Sequence, residues 1–197
     1  MLPLNINGLQ ALLQELTSGN DLSAESAAES ISQYGQQAVD ELAILLQSDQ
    51  PDSRWWAVRA LAEFSSQEAA ALLTQALNDA EAEVQRCAAL ALHRQPCPQA
   101  VPDLITLLDS ADRLLARLAA NALIACGQQA TPALLQVIRG ASQAARIEAA
   151  RVLAAIGDQA SISTLFNLLD EDSAFLEYWA NQGLESMGIG MAFFSPK

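Results

Sequence analysis

The chain of 197 residues carries 23 acidic against 10 basic side chains, a formal charge of −13, so its summed field repels nucleic-acid backbones and anionic membrane faces. A 51% hydrophobic content with only 5% aromatic and 17% charged residues excludes a disordered chain and favours a helical scaffold rich in Ala and Leu. Cys87, Cys97 and Cys126 are odd in number and lack two-residue spacing, which argues against both a disulfide framework and a zinc knuckle.

Taken from the N-terminus, MLPLNINGLQALL has neither the basic start nor the cleavage site of a secretory signal, and no apolar run reaches the length of a membrane span. The reading from this is a cytoplasmic chain. A segment then recurs six times: AESAAESISQYG, RWWAVRALAEFS, QRCAALALHRQP, ARLAANALIACG, RIEAARVLAAIG and EYWANQGLESMG. The copies end at Gly35, Ser65, Pro96, Gly127, Gly157 and Gly188, at intervals of 30 or 31 residues. A fixed period of this size is the signature of a helical solenoid, and Gly or Pro at the end of each copy terminates a helix.

Within each copy an alanine recurs eight residues before that end: Ala27, Ala57, Ala88, Ala119, Ala149 and Ala180. Four residues later comes Ile31, Leu61, Leu92, Leu123, Leu153 or Leu184, on the same helical face. The repeated alanine predicts a helix crossing too tight for a larger side chain. Each copy is preceded by another stripe, Leu12, Leu42, Leu73, Leu104, Leu134 and Leu165, followed four residues on by Leu16, Leu46, Leu77, Leu108, Ile138 and Leu169. Twelve helices in six antiparallel pairs follow, all-α, stacked as a right-handed α-α superhelix in one domain over 1–197. Acidic turns such as Ser48–Asp52, Asn78–Asp79 and Asp109–Asp112 are expected to cap the second helices. At the C-terminus, Ile189, Met191, Phe193 and Phe194 are expected to fold over the last pair as an apolar cap spanning 189–197.

The second-helix pattern R-x-x-A-x-x-A-L-x-x-x-G, carried by RWWAVRALAEFS, AARIEAARVLAAIG and DSAFLEYWANQGLESMG, resembles the HEAT repeat in its phycobilisome-lyase variety. That resemblance covers the whole chain and implies architecture more than activity. It implies a lyase-like or chaperone-like role on a bilin or a bilin-carrying protein as one function. Deoxyhypusine hydroxylase, an enzyme of similar build, holds di-iron between His-Glu dipeptides, but here the single His93 is followed by Arg94.

No residue set suggests catalysis: Pro96 interrupts any pairing of His93 with Cys97, and no phosphate cradle or metal spacing occurs, so neither cofactor nor metal is expected. Cys126 falls on an apolar face, whereas Cys97, between two prolines, is expected in an exposed turn. Arginines dominate the second helices at 54, 59, 86, 94, 117, 146 and 151. Opposite the alanine column, Trp55, Arg59, Arg86, Arg117, Asn121, Arg151 and Tyr178 form a ladder with the composition of a binding surface. Two readings stay open: the arginines capture a protein with an acidic surface or extended segment, or they pair with turn aspartates of the neighbouring repeat. Trp56 and Trp179, one residue before the alanine column, read as packing between repeats.

Overall fold

A computed structural model describes residues 6–189. The expected cap formed by Met191, Phe193 and Phe194 lies outside the described residues. The described chain is helical with no strand, and it divides into two compact units, the first ending at Gln99 and the second beginning at Ala100.

In the first unit, α1 (Ile6–Leu16) pairs with α2 (Asp21–Ser30), α3 (Gln36–Leu45) with α4 (Pro51–Leu61), and α5 (Gln67–Ala76) with α6 (Ala82–Arg94). Helices α2, α4 and α6 stack in that order. In the second unit the pairs are α7 (Val101–Leu107) with α8 (Arg113–Cys126), α9 (Thr131–Gly140) with α10 (Gln143–Ile156), and α11 (Ile162–Leu168) with α12 (Ala174–Ser186). Here α8, α10 and α12 stack.

The periodic columns are the core. All six alanines of the Ala27 column and all six large residues four positions on are buried, most of them completely. Burying a leucine contributes on the order of 1.5–3 kcal/mol, so stacking of repeats, more than any single pair, holds each unit together. Gly183 shows how close the second helices come: a Cβ there would lie 3.0 Å from the Ala154 Cα on α10 and 2.8 Å from Leu165 Cδ1. That approach explains why glycine stands here, where the other copies carry Ser30, Ala60, Ala91, Ala122 and Val152.

Termination follows the expected chemistry. Gly35, Gly127, Gly157 and Gly188 all have positive φ, and Gly157 sits in the left-handed well, where a side chain would be strained. N-caps are more varied than the acidic turns suggested. Asp112 accepts from the backbone N–H groups of Leu114 and Leu115, but α4 starts at Pro51 with no side-chain cap, and Asn20, Ser66 and Ser142 cap α2, α5 and α10. Proline presets the helical φ without a donor to satisfy, so α4 needs less help. No helix among the described residues is long and apolar enough to cross a membrane.

Candidate partner-binding face

On each second helix the residues five and two before the repeated alanine, and two after it, point away from the paired helix. In the first unit this stripe carries Leu22 and Glu25 on α2, Asp52, Trp55 and Arg59 on α4, and Arg86 and Leu90 on α6. In the second it carries Leu114, Arg117 and Asn121 on α8, Ile147 and Arg151 on α10, and Phe175, Tyr178 and Gln182 on α12. Leu22, Leu90, Leu114, Phe175 and Tyr178 are exposed; of the large exposed apolar side chains among the described residues, only Ile44 lies elsewhere.

The arginines divide by their partners. Arg54 and Arg146, three residues before the alanine column, tie one repeat to the next: Arg54 donates to both Asp79 oxygens at 2.7 and 2.8 Å and to the Ser48 carbonyl, and Arg146 donates to Glu171 at 2.5 and 2.6 Å and to the Ile138 carbonyl. The hydrogen bond from Arg54 holds the Asp79 carboxyl below the usual carboxylate range, against the opposing effect of burial. This is the pairing with turn acids of the neighbouring repeat, and it fixes the structural use of the arginine in the R-x-x-A motif.

Within the ladder itself, Arg59 is held by Glu25 of the preceding repeat and by Glu63 on its own helix. Burial opposes its charge, but hydrogen bonds to Glu25 and then Glu63 outweigh that and raise its pKa. Arg86 pairs with Glu83 one turn earlier. Half-buried Trp55 meets Trp56 edge to face, with ring centroids 4.7 Å apart. Near this group lies the Cys87 thiol, pushed up to about 12 by burial, with Arg59 a minor opposing influence, so it stays protonated and unreactive at neutral pH. Cys97 is buried instead of lying exposed in a turn; its thiol donates to the Gln99 Oε1 at 3.3 Å.

In the second unit two ladder arginines converge on one carboxylate, and a third ladder residue, Asn121, holds one of them. Glu148, with its side chain only 5% exposed, accepts from Arg151 Nε at 2.9 Å, and Arg151, 11% exposed, donates through Nη2 to Asn121 Oδ1 at 3.2 Å. Arg117 reaches the same carboxylate at 3.5 Å, beyond good hydrogen-bond length, and its side chain is 50% exposed. Arg151 is therefore a fixed part of the helix-helix contact, whereas Arg117 presents its guanidinium to solvent. Tyr178 is exposed and packs edge to face on Trp179, with centroids 4.9 Å apart.

Sequence reasoning passed over Glu148, although a signal was present. Glu148 directly precedes Ala149, where the first repeat places Ser26 and the other four place Trp56, Cys87, Leu118 and Trp179. A carboxylate in that mostly apolar or aromatic register needs a partner when buried. Leu22, Leu114 and Phe175 were also passed over; each stands five residues before its alanine. Among the described residues no group of three or more His, Cys, Asp or Glu side chains is placed to hold a metal ion.

With this geometry in place, comparison with known families is decisive for the architecture. Residues 9–92 match the model for HEAT repeats, and residues 145–171 match that for the PBS lyase HEAT-like repeat. This is a HEAT-repeat protein. No curated protein sequence matches the chain. Among solved structures it is similar to an archaeal HEAT-like repeat protein from Thermococcus onnurineus, with a TM-score of 0.63 at 16% identity over 95% of this chain and 82% of that one. It is also similar to the complex of CpcE and CpcF of phycocyanin lyase from Nostoc sp., with a TM-score of 0.54 at 22% identity over 91% of this chain and 77% of that one. A designed armadillo repeat protein in complex with the peptide (KR)4 matches with a TM-score of 0.53 at 21% identity over 91% and 99%. At these identities the HEAT-repeat chain shares a fold with all three.

Proposed function

We propose that this HEAT-repeat protein is an interaction scaffold whose second-helix faces bind a polypeptide partner, and that α8, α10 and α12 take a segment combining carboxylates with aromatic or aliphatic side chains. The observation that carries the reading is the concentration of exposed large apolar side chains on one stripe of the second helices. Scattered exposed leucines are ordinary on any protein, but here they share one stripe with exposed Phe175, Tyr178 and Arg117, and Tyr and Arg are the residues enriched in binding hot spots.

Arg117 supplies the acidic preference. Its near neighbour Glu148 is already engaged by Arg151, so an incoming carboxylate can take the free edge of the Arg117 guanidinium in a two-bond contact. Because the whole chain carries −13, a strongly acidic partner is repelled at long range, and a segment with one or two carboxylates among apolar residues fits better. A peptide-display selection on the intact chain tests this. The enriched sequences should pair Asp or Glu with aromatic or aliphatic residues, and should lose binding to Arg117→Glu and Tyr178→Ser while keeping it for Ile44→Ser. Peptides indifferent to Arg117→Glu would count against the reading.

A second reading has one observation in its favour, the PBS lyase HEAT-like repeat at 145–171, which contains both Arg146 and Arg151. It assigns the chain to the handling of a bilin or bilin-carrying protein. Adding free bilin should then shift its visible absorption band; an unchanged spectrum leaves the polypeptide scaffold.

A further inference from the structure

The cleft that opens between the α1–α2 turn and the first turn of α4 has a chemistry distinct from the α8, α10 and α12 face. It has a volume of about 540 Å³ and is lined by Trp55, Trp56, Asp21, Asp52, Gln50 and buried Leu16. We infer that this cleft binds a cationic side chain, a lysine or arginine presented by a basic segment of a partner polypeptide. The site lies wholly in the first unit and stands whether or not the second unit binds an acidic segment.

Three observations point to a cation. First, both indoles line the cleft and meet at 88°, and the negative face of an indole is the strongest attractor of ammonium and guanidinium groups among aromatic side chains. Second, no basic side chain lines the cleft among the described residues, while two exposed carboxylates do. Asp21 and Asp52 each stand in the first turn of a helix and partly serve its dipole. A helix N-terminus carries roughly half a positive charge, so two carboxylates against two termini leave about one negative charge uncompensated. Third, the first unit holds thirteen acidic residues against four arginines, and Arg54, Arg59 and Arg86 are already paired within it, so the field at the cleft attracts cations.

The chain contains its own contrast. On α12 the same aromatic pair recurs as Tyr178 and Trp179, 4.9 Å apart, but Phe175 stands where α4 has Asp52. The aromatic pair is thus common to both units, and the carboxylate is particular to the cleft. A flexible basic side chain suits the space: its aliphatic stem lies along the indoles and Leu16 while its head reaches Asp21 and Asp52.

The test titrates the intact chain with a short Gly/Ser peptide carrying a few arginines, followed by tryptophan fluorescence and calorimetry, with the glutamate counterpart peptide and free arginine as parallel arms. The arginine peptide should bind saturably, and the other two should not at the same concentration. Asp21→Asn combined with Asp52→Asn should weaken binding roughly tenfold, since it removes both short-range charge partners of the cation. The control Asp170→Asn with Asp172→Asn, two exposed acids of the second unit, changes net charge equally and should leave affinity unaltered. Should the helix-start variants lower stability, Gln50→Lys keeps both carboxylates and places a resident ammonium at the cleft; it should block the peptide as well. Equal weakening by both acidic pairs, undiminished binding to Gln50→Lys, or an equal response to free arginine would overturn the inference.

Discussion

The sharpest division in this molecule is between Arg151 and Arg117, two arginines in contact with one carboxylate. Glu148 and Arg151 are both nearly buried and joined at 2.9 Å, so removing either strands the other charge in a poor solvent. Breaking a buried pair in this way costs about 3–5 kcal/mol, and the surviving Arg151–Asn121 bond places Glu148→Ala near the lower end, about 3 kcal/mol. Arg151→Ala should cost a similar amount. Arg117 is half exposed and 3.5 Å from the carboxylate, so Arg117→Ala should cost less than about 1 kcal/mol. Urea unfolding of the three single variants, followed by helical circular dichroism, gives these values. The double variant Glu148→Leu with Arg151→Met should recover most of the loss, because a buried pair replaced by apolar groups of similar size leaves no stranded charge. If Arg117→Ala destabilised as much as Arg151→Ala, the separation of a structural arginine from a recognition arginine would collapse.

Further outcomes follow from the packing and the titrating groups. Gly183→Ala should destabilise by roughly 1 kcal/mol, because the usual helix gain of about 0.5–1 kcal/mol is exceeded by overpacking against the Ala154 backbone; a raised melting temperature would contradict the close approach. Ala119→Leu should cost about 3 kcal/mol at the tight crossing, read from the same urea curves. Asp79 has a folded-state pKa below its ordinary value, so its contribution is complete above the usual carboxylate range and disappears as pH falls through the lowered value. The gap in urea midpoint between the parent and Asp79→Asn should therefore hold from about pH 7 to about pH 5 and narrow only as pH falls below the usual carboxylate range. With Cys97 and Cys126 buried and the Cys87 thiol raised to about 12, a thiol reagent at neutral pH should label the folded chain far more slowly than the urea-unfolded one; rapid labelling of the native chain would be inconsistent with that burial.

The architecture was legible because it repeats. Six copies of an alanine at one register report a steric limit that one copy cannot, and the structure buries every one of them. The helix ends at Gly35, Gly127, Gly157 and Gly188 were equally legible, since positive φ is demanded by local geometry alone. Long side chains are a different matter. The register fixes where an arginine leaves its helix, but its tip travels far enough to choose among neighbours. Arg54 and Arg146 reach turn acids of the next repeat, Arg59 reaches back to Glu25, and Arg117 remains half exposed. Glu148 was hidden for the same reason: its partners stand three residues away on its own helix and one repeat away on another. The Trp55–Trp56 cleft arises only when stacking brings two turns together, which no single repeat discloses.

The scaffold reading is tested most directly by contact at single positions. A photo-crosslinking amino acid placed at Tyr178, at Leu114 or at Ile44, all exposed, should be irradiated with a display-selected peptide bound. Crosslinks should form from Tyr178 and Leu114 on the second-helix stripe and be absent from Ile44 on α3. Crosslinking from Ile44 alone, with Tyr178 and Leu114 silent, would place the partner on the first helices and contradict the account.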